Sequence, residues 1–158
     1  MLPYEENNPS STEESVKVAP ANSSPYAGKK ILIVEDNHIN REFAKTALSL
    51  FSKDLKIIEA QNGKEAYQQY LDHKPDLILM DIIMPKETGV KFYRTLLKDP
   101  DLQDIPVIIL SGVTRYKELF ARDHKTMHKP FAFVEKPIHP EELLAKVNEA
   151  VAAGAKAR

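Results

Sequence analysis

Five short aliphatic runs punctuate the chain, at residues 31–34, 57–60, 77–80, 107–110 and 132–134, with longer segments of helical spacing between them. Runs this short and this apolar suit strands buried on both faces, as in a parallel sheet. Ile39, Phe43, Ala47 and Leu50 form one helical stripe, and Ala66, Tyr67, Tyr70 and Leu71 a second that Asn62 opens as an N-cap. Val90, Tyr93, Leu96 and Leu97 form a third, and residues 116–120 carry a short helical pattern ahead of Pro130. Leu143, Leu144, Val147, Ala150 and Val151 form the last, with Pro140 in its first turn and Glu141 and Glu142 matched to the helix dipole. Strands alternating with helices predict an α/β domain: a doubly wound, five-stranded parallel sheet with helices on both faces. In that architecture ligands and chemistry collect at the carboxyl ends of the strands, near the point where the strand order reverses.

Composition narrows the alternatives. Of 158 residues, 22 are Lys or Arg and 23 are Asp or Glu, so a formal charge of −1 argues against a whole-chain grip on nucleic acid or an anionic membrane. With no Cys there is no disulfide framework, thiolate metal site or Cys nucleophile. The strongest apolar run, Val107-Ile108-Ile109-Leu110, is far shorter than the roughly 20 residues a bilayer-spanning helix needs. The opening Met1-Leu2-Pro3-Tyr4-Glu5-Glu6 has no basic and apolar leader, which leads us to expect a cytoplasmic chain. Residues 1–27 are rich in Ser, Pro, Asn and Glu and poor in branched aliphatics, so we expect a disordered tail, a folded domain over 28–153, and a short tail at 154–158.

Each predicted strand runs into a chemically notable side chain. The first leads into Glu35-Asp36, the third into Asp81, the fourth into Ser111 and the fifth into Lys136-Pro137. A parallel sheet would bring all five to one edge. Three crowded carboxylates repel unless a cation neutralises them, and hard oxygen donors without His or Cys favour Mg²⁺. A lysine and a hydroxyl opposite suit an anion that also touches the metal, and a phosphoryl group meets both demands. Asp81 is then a candidate nucleophile, since aspartate forms acyl-phosphates.

This ordered set resembles the receiver domain of two-component response regulators, a chemotaxis-regulator-like, flavodoxin-like fold of strand order 2-1-3-4-5. The resemblance spans residues 29–152 and is carried by Glu35-Asp36, Asp81-Ile82-Ile83-Met84-Pro85 with Gly89 beyond, Ser111-Gly112 and Lys136-Pro137. It implies Asp81 as phosphoacceptor, with the phosphoryl group donated by a sensor histidine kinase or histidine phosphotransfer protein. It also implies Mg²⁺ held by Asp36, by Asp81, by Glu35 (through water) and by the backbone carbonyl of Ile83. Lys136 would pair with Asp81 and then with the phosphoryl oxygens, and Ser111 would bond a phosphoryl oxygen. Ser111 and Phe133 would form the switch, coupled sterically because Phe133 has no hydroxyl. The Lys136–Pro137 bond is expected to be cis. The implied activity is signalling rather than enzymatic, limited to the chain's own phosphorylation and dephosphorylation.

Some features depart from that pattern. Gly112 stands where the family often has Ala. Residues 115–129 carry five basic and two acidic side chains, which we expect to form a basic face for an acidic partner or tail. Ile83 and Val113, two beyond Asp81 and Ser111, cannot orient water, so slow self-dephosphorylation is expected. Ile83 also argues against an aspartyl-phosphate phosphohydrolase, which needs a second acid there. Because the chain ends soon after its last helix, we expect a single-domain regulator, monomeric or weakly dimeric, that switches a downstream protein partner. A pseudo-receiver that binds without phosphorylation, or a receiver excised from a hybrid kinase, remains the alternative.

Overall fold

The computed structural model describes residues 26–81, 91, 94–95, 98, 105–112 and 130–157. Strands β1 (Lys30–Val34), β2 (Lys56–Ala60), β3 (Leu77–Asp81), β4 (Val107–Ser111) and β5 (Ala132–Glu135) form one sheet in the order β2-β1-β3-β4-β5. Every neighbouring pair is parallel. This is the expected architecture, with each aliphatic run inside a strand. Three helices are described over their full length: α1 (His38–Phe51), α2 (Gly63–His73) and α3 (Pro140–Ala157). Lys91, Arg94 and Thr95 are helical too, within the third expected stripe, whereas residues 113–129, with the fourth helical pattern and the basic segment, lie outside the described residues.

Two apolar layers sandwich the sheet. On one face Leu32, Val34, Ile78, Met80 and Ile109 pack with Ala66 and Tyr70 of α2. On the other Ile31, Ile33, Leu79, Ile108 and Leu110 pack with Ala44 and Leu48 of α1 and with Leu143, Val147 and Ala150 of α3. Burying an Ile or Leu of this kind contributes about 1.5–3 kcal/mol, which is why β1, β3 and β4 need an apolar residue at nearly every position.

Helix α1 departs from expectation. Its predicted stripe points largely outward, with Ile39 75%, Phe43 42% and Leu50 83% exposed; of that set only Ala47 is buried. The helix is apolar on two sides, and the sheet receives the side with the small residues Ala44 and Ala47 around Leu48. Small side chains let a helix lie close to the strands. The second stripe divides likewise, Ala66 and Tyr70 inward and Tyr67 and Leu71 at the surface.

Asn62 caps α2, as expected, and Asn37, one residue beyond Asp36, caps α1. Asn37 accepts from the Asn40 amide at 2.9 Å and Asn62 from the Glu65 amide at 2.8 Å. At the domain edges, Tyr26 is buried in the α1/α3 layer, two residues ahead of the expected start at 28, and its hydroxyl bonds Asn148 of α3. Helix α3 continues to Ala157, past the expected end at 153. Residues 1–25 lie outside the described residues.

Candidate functional site

The chain leaves β1 for β2 on one side and then returns to β3, β4 and β5 on the other, so the order reverses between β1 and β3. The carboxyl ends of these two strands carry the acidic residues. Glu35 follows the last residue of β1, and Asp81 is the last residue of β3. Glu35, Asp36 and Asp81 each offer a carboxylate oxygen within 4.8 Å of the others. Glu35 and Asp81 are buried at 1% and 5% exposure, and Asp36 lies at the half-buried rim.

Lys136 enters from the end of β5. Its Nζ donates to Glu35 Oε1 at 2.8 Å and lies 3.3 Å from Asp81 Oδ2, so one ammonium bridges two carboxylates. The Lys136 amide donates to the Ser111 carbonyl at 2.8 Å, tying the β5 exit to the end of β4, and the Lys136–Pro137 bond is cis. Ser111, the last residue of β4, is buried at the same edge. Asp36, Asp81, Ser111, Glu35 and Lys136 therefore share the carboxyl edge of the sheet. Ile83, expected to lend its carbonyl, lies outside the described residues, as do Met84, Pro85, Gly89 and Val113. Phe133 is half-buried on β5, opposite Ile109 in register, packed against the α2 layer.

Electrostatics follow from burial. Glu35 is pushed up to about 7, chiefly by loss of solvent; the charge of Asp81 adds to this, and the Lys136 hydrogen bond works against it. Lys136 is held above the ordinary lysine value: burial alone would lower it, but the hydrogen bond to Glu35 and the charges of Asp81 and Glu35 prevail. The site is thus a buried acidic pocket carrying a fixed cation. Its oxygen-only donor set, with Asp36 reaching solvent, fits Mg²⁺, which binds through one or two carboxylates and keeps several waters.

Beside the site a groove of about 190 Å³ runs between α1 and the start of the segment after β5, lined by Ile39, Asn40, Phe43, Lys136, Pro137 and Ile138. The outward stripe of α1 forms one wall. Two residues of the acidic turn's surroundings escaped the sequence reading. Arg41, 8% exposed, donates to the Glu35 carbonyl at 2.7 Å and to Glu59 Oε1 of β2 at 3.1 Å. The available signal was Glu59 itself, a charge inside the aliphatic run 57–60, which needs a partner once half-buried.

Comparison with known proteins agrees with this geometry. The family model of the response regulator receiver domain matches residues 31–148. PilH of Pseudomonas aeruginosa PAO1 is 34% identical over 129 residues, covering 78% of this chain and 98% of PilH. The phosphate regulon transcriptional regulatory protein PhoB of the same organism is 33% identical over 123 residues, 76% of this chain; the chain spans half of PhoB's length. Among solved structures, the signal receiver domain of a signal transduction histidine kinase from Syntrophus aciditrophicus superposes with a TM-score of 0.68 at 30% identity, over 79% of this chain and 91% of that one. The chemotaxis response regulator CheY4 of Vibrio cholerae shares the fold, with a TM-score of 0.67 at 22% identity over 77% and 98% of the two chains. With the family model matched across most of the chain and PilH covered almost end to end, the chain belongs to the response regulator receiver domains of two-component signalling systems.

Proposed function

We propose that the chain is a phosphorylation-controlled signalling module. Asp81 accepts a phosphoryl group from a phosphohistidine on a sensor kinase or phosphotransfer protein, with Mg²⁺ held by Asp36, Asp81 and Glu35. The observation that carries this reading is the placement of Asp81 among two further carboxylate donors with the Lys136 ammonium 3.3 Å from its Oδ2. A carboxylate oxygen of Asp81 attacks phosphorus, the P–N bond breaks, and the electron pair leaves with the donor imidazole. When bound, Mg²⁺ neutralises charge on the transferring oxygens. Lys136 exchanges its contact with Asp81 for one with the phosphoryl oxygens, and the Ser111 hydroxyl takes up another.

The new charge of about −1.5 to −2 at Asp81 is the trigger. Ser111 moves toward it, and Phe133, half-buried on the next strand, enters the space vacated, a steric coupling that alters the β4–β5 side for a downstream protein. The donor docks on the apolar groove between α1 and Pro137-Ile138, which opens beside Lys136. Such donors act in the cytoplasm, and the reading places the chain there with them; none of the described helices is long and apolar enough to cross a membrane.

Incubation with radiolabelled acetyl phosphate and Mg²⁺ tests the reading. Label should be acid-stable, hydroxylamine-labile, dependent on Mg²⁺ and absent from Asp81→Asn. A folded chain that takes up no label would instead be a binding module of the same fold.

A further inference from the structure

Arg41 contacts the backbone of the acidic turn directly. It lies one turn into α1, almost fully buried, with its guanidinium spread over three groups. Nη1 donates to the Glu35 carbonyl at 2.7 Å, Nε donates to Glu59 Oε1 at 3.1 Å, and Nη2 lies 3.4 Å from His38 Nδ1. Glu59 is in turn held by Lys45 at 3.1 Å, one helical turn beyond Arg41. The two cations hold the Glu59 carboxyl below the usual range: its partial burial would raise it, and the bonds from Lys45 and Arg41 overcome that.

The carbonyl that Arg41 grips belongs to the peptide joining Glu35 to Asp36, the two acidic residues of the turn. Several further hydrogen bonds hold that short segment. The Glu35 amide donates to the Ala60 carbonyl at 3.0 Å, the Asn37 amide to Glu35 Oε2 at 3.2 Å, and the Arg41 amide to the Asn37 carbonyl at 2.9 Å. Arg41 supplies the link from this turn to the β2 edge strand through a side chain, at Glu59, which lies opposite Ile33 of β1 in the register. Only a planar fork with several donors can satisfy a carbonyl and a carboxylate at once in fixed directions; a lysine supplies a point charge and cannot span both.

We infer that Arg41, braced by Glu59, is a positioning residue for the metal site: it fixes the orientation of the Glu35–Asp36 peptide and thereby the direction in which Asp36 presents its carboxylate. The inference rests on the proposed metal site. It has a sign that separates it from simple charge. Arg41 is a cation near three carboxylates, so by Coulomb's law its removal should tighten the binding of Mg²⁺. Loss of positioning should weaken it, by about tenfold on the scale of groups that orient metal ligands.

The test is calorimetric titration of the full chain with Mg²⁺ alone, for wild type, Arg41→Ala and Arg41→Lys, with thermal melts to establish that each is folded at the working temperature. Positioning predicts that both variants bind Mg²⁺ about tenfold more weakly, the charge-conserving lysine included, and that amide resonances of Asp36 and Asn37 shift in the metal-free protein. Arg41→Lys keeps the test decisive if Arg41→Ala fails to fold. Variants that match wild type within about twofold, or an alanine variant that binds more tightly while lysine is unchanged, overturn the inference and leave the metal site standing. A folded wild-type chain that takes up no Mg²⁺ overturns both.

Discussion

Lys136 lies nearer to Glu35 than to Asp81: its Nζ donates to Glu35 Oε1 at 2.8 Å and stands 3.3 Å from Asp81 Oδ2. One ammonium is therefore shared between two buried carboxylates. Its firmer contact is with the neighbour of the proposed phosphoacceptor, which leaves the weaker contact to be exchanged when a phosphoryl group arrives.

Removing this cation leaves Glu35 and Asp81 buried and facing each other. Lys136→Ala should destabilise the metal-free chain by about 2 kcal/mol at pH 8, since breaking a buried charge pair is costly even when its net worth is small. Added Mg²⁺ should restore part of the loss. Urea unfolding with and without Mg²⁺ measures both; equal sensitivity to Mg²⁺ in wild type and variant would show that the lysine and the metal do not share the same carboxylates.

Glu35 sets a pH dependence whose sign comes from its raised value of about 7 against an ordinary 4.5. Between those values the folded chain holds a proton that the unfolded chain has released, so stability falls as pH rises through the window and is level above it. Lys136, shifted upward, contributes in the alkaline range, and Glu59, shifted downward, loses its contribution only below the window. Glu35→Gln, neutral throughout, should be more stable than wild type by about 2–3 kcal/mol at pH 8 without metal and nearly equal to it near pH 5. Denaturant midpoints across this range test it, and parallel curves for the two proteins would refute the burial argument.

The groove beside Lys136 should matter to a protein donor and not to a small one. Ile39 is three-quarters exposed, so Ile39→Glu leaves the core intact. Phosphotransfer from a histidine phosphotransfer protein should slow about tenfold or more, the loss expected when a charge enters an apolar contact, while labelling by acetyl phosphate stays unchanged. Equal slowing with both donors would place Ile39 in the chemistry instead of the docking.

Tyr26, two residues ahead of Gly28, is buried in the α1/α3 layer. Truncating the chain before Gly28 removes a buried aromatic and its bond to Asn148 and should cost about 3 kcal/mol relative to truncation before Pro25. Identical melting of the two truncated chains would show that Tyr26 merely rests on the domain.

Gly112 has an ordinary negative φ and room for a methyl group, with Lys136 Cβ at 4.0 Å from the position of an added Cβ. Gly112→Ala should therefore stabilise by about 0.5 kcal/mol through the unfolded chain. A loss of stability would mean that the loop after β4 needs the glycine.

Much of the site was legible because a parallel sheet buries its strands on both faces and delivers the residues at each strand's exit to one edge. Aliphatic runs ending in Glu35-Asp36, Asp81, Ser111 and Lys136 could hardly be arranged otherwise. Side choice on α1 was not legible. Ile39, Phe43 and Leu50 form the more hydrophobic stripe, but the sheet accepted Ala44, Ala47 and Leu48, since closeness of approach, more than side-chain size, decides which face packs. Nothing local marks Arg41, since a lone arginine on a helix is ordinarily solvated; its burial depends on Glu59, eighteen residues away on another element. Tyr26 is surrounded in sequence by polar residues, and its burial depends on α3, at the far end of the chain.

The most direct measurement of the central claim is titration of the isotopically labelled chain with beryllofluoride, a phosphoryl mimic, in the presence of Mg²⁺. Binding should saturate at equimolar ratio, require Mg²⁺, vanish in Asp81→Asn, and perturb the amides of residues 35–37, 81, 111–112 and 133–136. Spectra that stay unchanged, or that change equally in Asp81→Asn, would contradict the claim that these residues form one cation-assisted phosphoryl site.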